Sequence, residues 1–190
     1  MSQQALLTRV VAALEAAGIA YMVSGSLASS LQGEPRATHD IDVVIEVGPG
    51  DVERLVGALA APDLYLDERA VRDAVRRGAL FNLIQPDTGD KVDFWPLTKE
   101  PFDQKRFERR TIVEALRMRF AVSSPEDTIL MKLRWSREAG GSEKQVTDAL
   151  RVYEVQAGAL DQAYLGEWAE RLGVADLLVD LVRRAEPIKE

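Results

Sequence analysis

Apolar residues recur at Leu6, Leu7, Val10, Val11 and Leu14, a spacing that puts them on one face of a helix. The spacing predicts a helix over 2–17 that stops at Gly18. Ile19 to Ser24 is a short buried strand in the making, Gly25-Ser26 a turn, and Leu27 to Leu31 a short helix. After a loop over 33–39, the β-branched run Ile41, Val43, Val44 and Ile45 predicts a strand over 40–47. Gly48-Pro49-Gly50 breaks it, and Asp51 caps a helix reaching about Leu59. A more polar helix follows over 67–77. Ala79–Gln85 and Lys91–Trp95 flank the turn Pro86-Asp87-Thr88-Gly89 and predict a hairpin. Then come a short helix over 101–109 and two short strands within 111–122. Ser124-Pro125-Glu126-Asp127 carries an N-cap, a first-turn proline and an acid, so a helix starts there. The remainder reads as helices over 125–139, 143–157, 161–172 and 174–185. The expected organisation is a mixed α/β half over 1–122 and an all-helical region over 123–190.

Composition narrows the class. The chain has 190 residues, 46% of them hydrophobic and 29% charged, enough apolar surface to offset chain entropy in a folded core. No apolar run approaches the ~20 residues that cross a bilayer. Met1-Ser2-Gln3-Gln4 does not open a secretory signal, so the expected location is the cytoplasm and no membrane partner is expected. With no cysteine and one histidine, disulfide frameworks, thiolate chemistry and His-rich zinc sites are excluded. The net charge of −7 argues against broad coating of nucleic acid, although a local basic groove stays open.

Chemistry concentrates in three acids and a Gly-Ser pair. Residues i and i+2 of a strand share a face, so Asp40 and Asp42 project together while Ile41 and Val43 face the core. Two adjacent carboxylates repel, and a hard divalent cation with oxygen ligands relieves the repulsion. Asp93 lies between Val92 and Phe94 on a later strand. If that strand lies beside the first, three acids converge, and such a triad can hold two Mg²⁺ ions about 3.5–4 Å apart. Gly25 would let the backbone approach a phosphate, Ser26 would add a donor, and the following helix would aim its N-terminal amides at it. Arg36 and Thr38, just before the acids, could reach the same triphosphate. Taken singly, each feature has an ordinary structural explanation: a turn, a solvated strand end, an acid beside a hairpin. Their order along the chain is what points to a nucleotide-and-metal site. His39 fits a local hydrogen-bonding partner, Trp135 and Trp168 fit the core, and Arg69, Arg72, Arg76 and Arg77 fit a solvated helix face.

At Val23-Ser24-Gly25-Ser26, Asp40-Ile41-Asp42-Val43 and Val92-Asp93-Phe94 the sequence resembles the polymerase-β-like nucleotidyltransferase superfamily. Thirteen residues separate Ser26 from Asp40, the upper limit of that pattern. Within it, the chain is similar to bacterial proteins related to the AbiEii toxins of toxin–antitoxin systems. Arg36-Ala37-Thr38-His39-Asp40-Ile41-Asp42, Ser124-Pro125-Glu126-Asp127, Lys132-Leu133, and Lys144 with Asp148 carry that similarity, while Gln145 stands where the toxin group has Asp. The resemblance implies an α+β fold, with a small mixed β-sheet nucleotidyltransferase core packed with helices and followed by the helical region. It implies Asp40, Asp42 and Asp93 as metal ligands, with Asp93 taking the proton from the attacking hydroxyl. It implies Gly25 and Ser26 at the triphosphate, and Lys132 and Lys144 toward the nucleotide. The implied cofactor is Mg²⁺, two ions, with Mn²⁺ as a substitute, and the implied partners are an NTP such as ATP and a hydroxyl acceptor. A tRNA end, a protein side chain and a small molecule such as an aminoglycoside stay open as acceptor, and the toxin branch leaves room for an antitoxin. A non-catalytic partner module on the same fold and a metal-dependent hydrolase are the competing readings.

Overall fold

The computed structural model describes residues 3–36 and 40–186. Its helices are α1 (Gln3–Ala16), α2 (Gly25–Gln32), α3 (Val52–Leu59), α4 (Glu68–Arg77), α5 (Pro101–Glu108), α6 (Pro125–Glu138), α7 (Glu143–Gln156), α8 (Gln162–Arg171) and α9 (Ala175–Arg184). Its strands are β1 (Tyr21–Ser24), β2 (Asp40–Ile45), β3 (Phe81–Gln85), β4 (Asp90–Pro96), β5 (Thr111–Ala115) and β6 (Met118–Val122). The chain gathers into two compact units, Met1–Ser24 with Thr38–Val122, and Gly25–Ala37 with Ser123–Glu190. Residues 25–36 are thus grouped with the helices.

The first unit is a six-stranded mixed sheet in the order β3-β4-β2-β1-β6-β5. β2 runs parallel to β4 and β1 parallel to β6, and the other neighbours are antiparallel. Alternation fixes which side each strand buries. Phe81 and Leu83 of β3, Val92 and Phe94 of β4, and Ile41 and Val43 of β2 are all buried. Phe81 stacks on Phe94 with ring centroids 5.1 Å apart. Leu6, Leu7, Val10, Val11 and Leu14 of α1 are buried as their spacing predicted. β5 and β6 form a hairpin whose turn residues, Leu116 and Arg117, sit at φ 52° and 60°. Neither residue signals such a turn in the sequence, since both have side chains that disfavour this region.

The second unit is helical. Ser124 caps α6 by accepting from the Asp127 N–H, and Pro125 occupies the first turn, where its missing donor costs nothing. The fully buried Asp127 carboxylate accepts from the Ser124 hydroxyl at 2.7 Å and the Tyr164 hydroxyl at 2.6 Å, tying α6 to α8. Glu126 accepts from the Asp161 N–H at 3.0 Å at the start of α8. α2 is bound in by Gln32, whose side-chain amide donates to the Ser123 carbonyl and whose backbone carbonyl accepts from the Gln156 side chain. Helix α2 begins at Gly25 itself, not after a Gly-Ser turn. Gly25 stands at φ +64°, a left-handed conformation that glycine adopts without strain.

Just beyond α2, Gly33 lies against the α7 backbone. A Cβ there would stand 2.8 Å from both Arg151 C and Val152 N, backbone atoms that cannot step aside. Gly33→Ala should therefore cost about 1–3 kcal/mol. Urea unfolding checks this, and a wild-type midpoint would show that α2 and α7 separate freely.

Candidate functional site

Strand pairing brings the three acids onto one sheet face. In the parallel β2–β4 ladder, Asp40 stands opposite Lys91, Asp42 opposite Asp93, and Val44 opposite Trp95. Register partners share a face, so Asp40, Asp42 and Asp93 project together with Lys91 and Trp95. Asn82 of β3 pairs with Asp93, and Ser24 of β1 pairs with Asp42. A polar row thus crosses four strands as Asn82, Asp93, Asp42, Ser24. Asp40 is exposed, Asp42 half-buried and Asp93 buried.

Each carboxylate has a donor. Asn82 Nδ2 donates to Asp93 Oδ1 at 2.5 Å, and Trp95 Nε1 donates to Asp42 Oδ1 at 3.3 Å. Lys91 Nζ lies 3.0 Å from Asp93 Oδ2 and 3.3 Å from Asp40 Oδ1. The hydrogen bond to Asp93, helped by Asp40 and opposed by partial burial, raises the Lys91 pKa above its ordinary value. In this arrangement no three His, Cys, Asp or Glu side chains among the described residues are gathered as a metal cage. The donor set still fits a hard cation in kind. All three groups offer carboxylate oxygens, and a positive charge, the Lys91 ammonium, already stands between Asp40 and Asp93.

The second unit carries a cationic cluster. Lys132 of α6, only 1% exposed, donates to Asp148 Oδ2 at 2.7 Å and to Ser26 Oγ at 3.3 Å. Arg36 grips the same carboxylate in two parallel bonds of 2.8 Å and reaches Ser26 Oγ at 2.8 Å. Burial pushes the Asp148 carboxyl up, but Arg36 and Lys132 together outweigh it and hold the group below its ordinary range. For Arg36, the Asp148 bond raises its already high pKa. Arg36 and Lys132 thus converge on one carboxylate beside Ser26, and both are side chains of the kind that bind phosphate oxygens. A cavity of about 160 Å³ opens beside them, lined by Ser29, Glu34, Arg36, Thr147, Asp148 and Arg151.

The positions expected from sequence therefore fall in two groups. Asp40, Asp42 and Asp93 share one face of the sheet, and Ser26, Arg36 and Lys132 meet among the helices. Lys144 is exposed in the first turn of α7 and, among the described residues, has no bond to that cluster. Thr38 and His39 lie outside the described residues. Asn82, Lys91 and Trp95 were not singled out from sequence. Their alternation along β3 and β4 shows a polar side to each strand, but only the register says which acid each one meets. Asp148 surfaced only through resemblance, and its partners come from helices distant in sequence.

No protein-family model matches the chain. No curated protein matches it. Solved structures do. The solution structure of the antibiotic-resistance factor ANT(2'')-Ia is similar with a TM-score of 0.56 at 14% identity, over 96% of this chain and 98% of that one. A crystal structure of ANT(2'')-Ia in complex with adenylyl-2''-tobramycin gives 0.52 at 15% identity, over 97% and 99%. An antigenic nucleotidyltransferase-like protein from Paracoccidioides brasiliensis gives 0.53 at 16% identity, over 98% and 94%. The α+β architecture of this chain, a mixed sheet with helices, is thus shared over nearly its whole length with these solved structures, one of them described as a nucleotidyltransferase-like protein.

Proposed function

We propose that the protein is a divalent-metal-dependent nucleotidyltransferase that moves a nucleoside monophosphate from an NTP onto a hydroxyl and releases pyrophosphate. The observation that carries the reading is the pairing of Asp42 with Asp93 in register across β2 and β4, with Asp40 on the same face. Asp40, Asp42 and Asp93 would hold the metal, Mg²⁺ or Mn²⁺. When bound, the ion would supply charge neutralisation at the triphosphate and the leaving pyrophosphate. The acceptor oxygen would attack the α-phosphorus as the bond to the bridging oxygen breaks, and Asp93 would take the hydroxyl proton. Gly25, Ser26, Arg36 and Lys132 would bind phosphate oxygens, as would Thr38, from its place just before the acids, and Lys144, from the resemblance. The rate gain would come from positioning and fixed charge.

A nucleotide joined to tobramycin in a structural neighbour supports a nucleotide donor and makes ATP the first donor to try. The net charge of −7 favours a small hydroxyl compound or a protein as acceptor over nucleic acid. A toxin role with an antitoxin partner rests on the sequence resemblance, and growth arrest on expression would test it.

The decisive assay incubates the protein with Mg²⁺, each α-labelled NTP and a panel of hydroxyl compounds. Pyrophosphate release with a labelled acceptor is the expected result. Inorganic phosphate release would replace transfer with hydrolysis. Absence of both, with no metal-dependent nucleotide binding, would make the chain a non-catalytic module on this fold.

A further inference from the structure

Lys91 and Lys132 each stand beside a carboxylate of the clusters described above, and they differ in one respect. Lys132 is enclosed, with its side chain 1% exposed, and cannot leave Asp148 without stranding a buried charge. The Lys91 side chain is 40% exposed and bridges Asp40 and Asp93 from the edge of the polar row. Its place follows from register. It stands opposite Asp40 in the parallel ladder and two residues before Asp93 on one face of β4, so a single ammonium reaches both. Its partner on the other side, Ile84 of β3, offers no side-chain acceptor. The flexible four-carbon stem lets that ammonium swing into water at small cost.

We propose that Lys91 is a positioning residue that occupies the cation place between Asp40 and Asp93 while metal is absent, and that a divalent ion enters by displacing it. The inference rests on the reading of the three acids as metal ligands. Without an ammonium there, Asp42 and Asp93 face each other in register with Asp40 beside them, and their mutual repulsion would splay the strand ends. With it, Asp40 and Asp93 are held to one shared charge, and metal affinity is lowered by the ion pair that must first be broken. A doubly charged ion offers each carboxylate more attraction than one shared ammonium, so displacement is favourable once metal and nucleotide arrive together.

The test compares wild type, Lys91→Met and Lys91→Arg by Mn²⁺ titration, read by the loss of free-ion electron paramagnetic resonance signal, with and without a non-hydrolysable NTP. Thermal melting without metal provides a second readout. Lys91→Met should bind Mn²⁺ about three- to tenfold more tightly and melt about 2–4 °C lower in the absence of metal. Lys91→Arg, whose fork can grip both acids, should bind Mn²⁺ more weakly than wild type. Weaker or unchanged Mn²⁺ binding in Lys91→Met, with clear binding in wild type, overturns the role of Lys91 and leaves the metal assignment standing. No Mn²⁺ binding by any of the three proteins, with or without nucleotide, overturns the metal assignment and this inference with it.

Discussion

Asp42→Asn should lower nucleotidyl transfer by at least about a hundredfold and leave the fold intact. The central carboxylate of the polar row would become a neutral amide, and a metal ligand worth several kcal/mol of charge stabilisation would be lost. Each 1.36 kcal/mol is a factor of ten in rate. The fold should hold because the amide oxygen can still accept from Trp95 Nε1, which lies 3.3 Å from Asp42 Oδ1. Asp42 also faces Asp93 in register, so removing its charge removes a like-charge contact. The variant should therefore melt at or slightly above the wild-type temperature when no metal is present. Pyrophosphate release, Mn²⁺ titration and a melting curve on the same preparation check all three expectations. Transfer at the wild-type rate would show that Asp42 holds no metal.

Lys132→Met should act on stability, and strongly. The lysine stem is among the most enclosed side chains of the protein, and its ammonium is one of two cations on the Asp148 carboxylate. Breaking a buried pair from one side costs about 3–5 kcal/mol when the remaining charge is uncompensated. Here Arg36 stays bound to Asp148 through two bonds, so a loss of about 2–4 kcal/mol is expected.

The pH dependence follows from the direction of the shift. Burial alone would raise the Asp148 pKa, but Arg36 and Lys132 bring it below the ordinary value. A carboxyl lowered on folding stabilises the native state above its unfolded pKa, about 4, and that contribution is lost as the pH falls through the lowered native value. Removing Lys132 narrows the gap between the two values, so the variant should lose stability at a higher pH than wild type. Urea midpoints between pH 3 and 7 read both effects. A neutral-pH loss below about 0.5 kcal/mol would mean that Arg36 alone satisfies Asp148.

The elements of the fold were legible because their signals are local. The helical spacing of Leu6 to Leu14, the β-branched run in β2 and the capping residues before α6 all depend on residues within a few positions of one another. The bounds shifted by only a residue or two at most ends, where capping and fraying decide the last turn. The departures come from single residues in unusual backbone states. Gly25 opens α2 at positive φ, and Leu116 with Arg117 closes a hairpin that no turn residue announces.

The candidate site was legible to a lesser depth. That Asp40 and Asp42 share a face follows from strand parity alone. Which strand lies beside them does not, because a parallel neighbour is reached only after a long excursion and its register is set by packing along the whole ladder. A shift of one residue would have turned Asp93 into the core and left Asp42 opposite an apolar side chain. Likewise the pairing of Lys132 with Asp148 and Arg36 joins three places in the chain that only helix packing gathers.

What the chain determined by itself is the list of helices and strands, the parity of its acids, and a helical second half, because hydrophobic period and capping act over one or two turns. The tertiary structure alone decided that Asp93 faces Asp42, that Lys91 stands between Asp40 and Asp93, and that residues 25–36 group with the helices. Those are long-range contacts, and their positions are fixed by how whole elements bury their apolar faces, which no local stretch of sequence encodes.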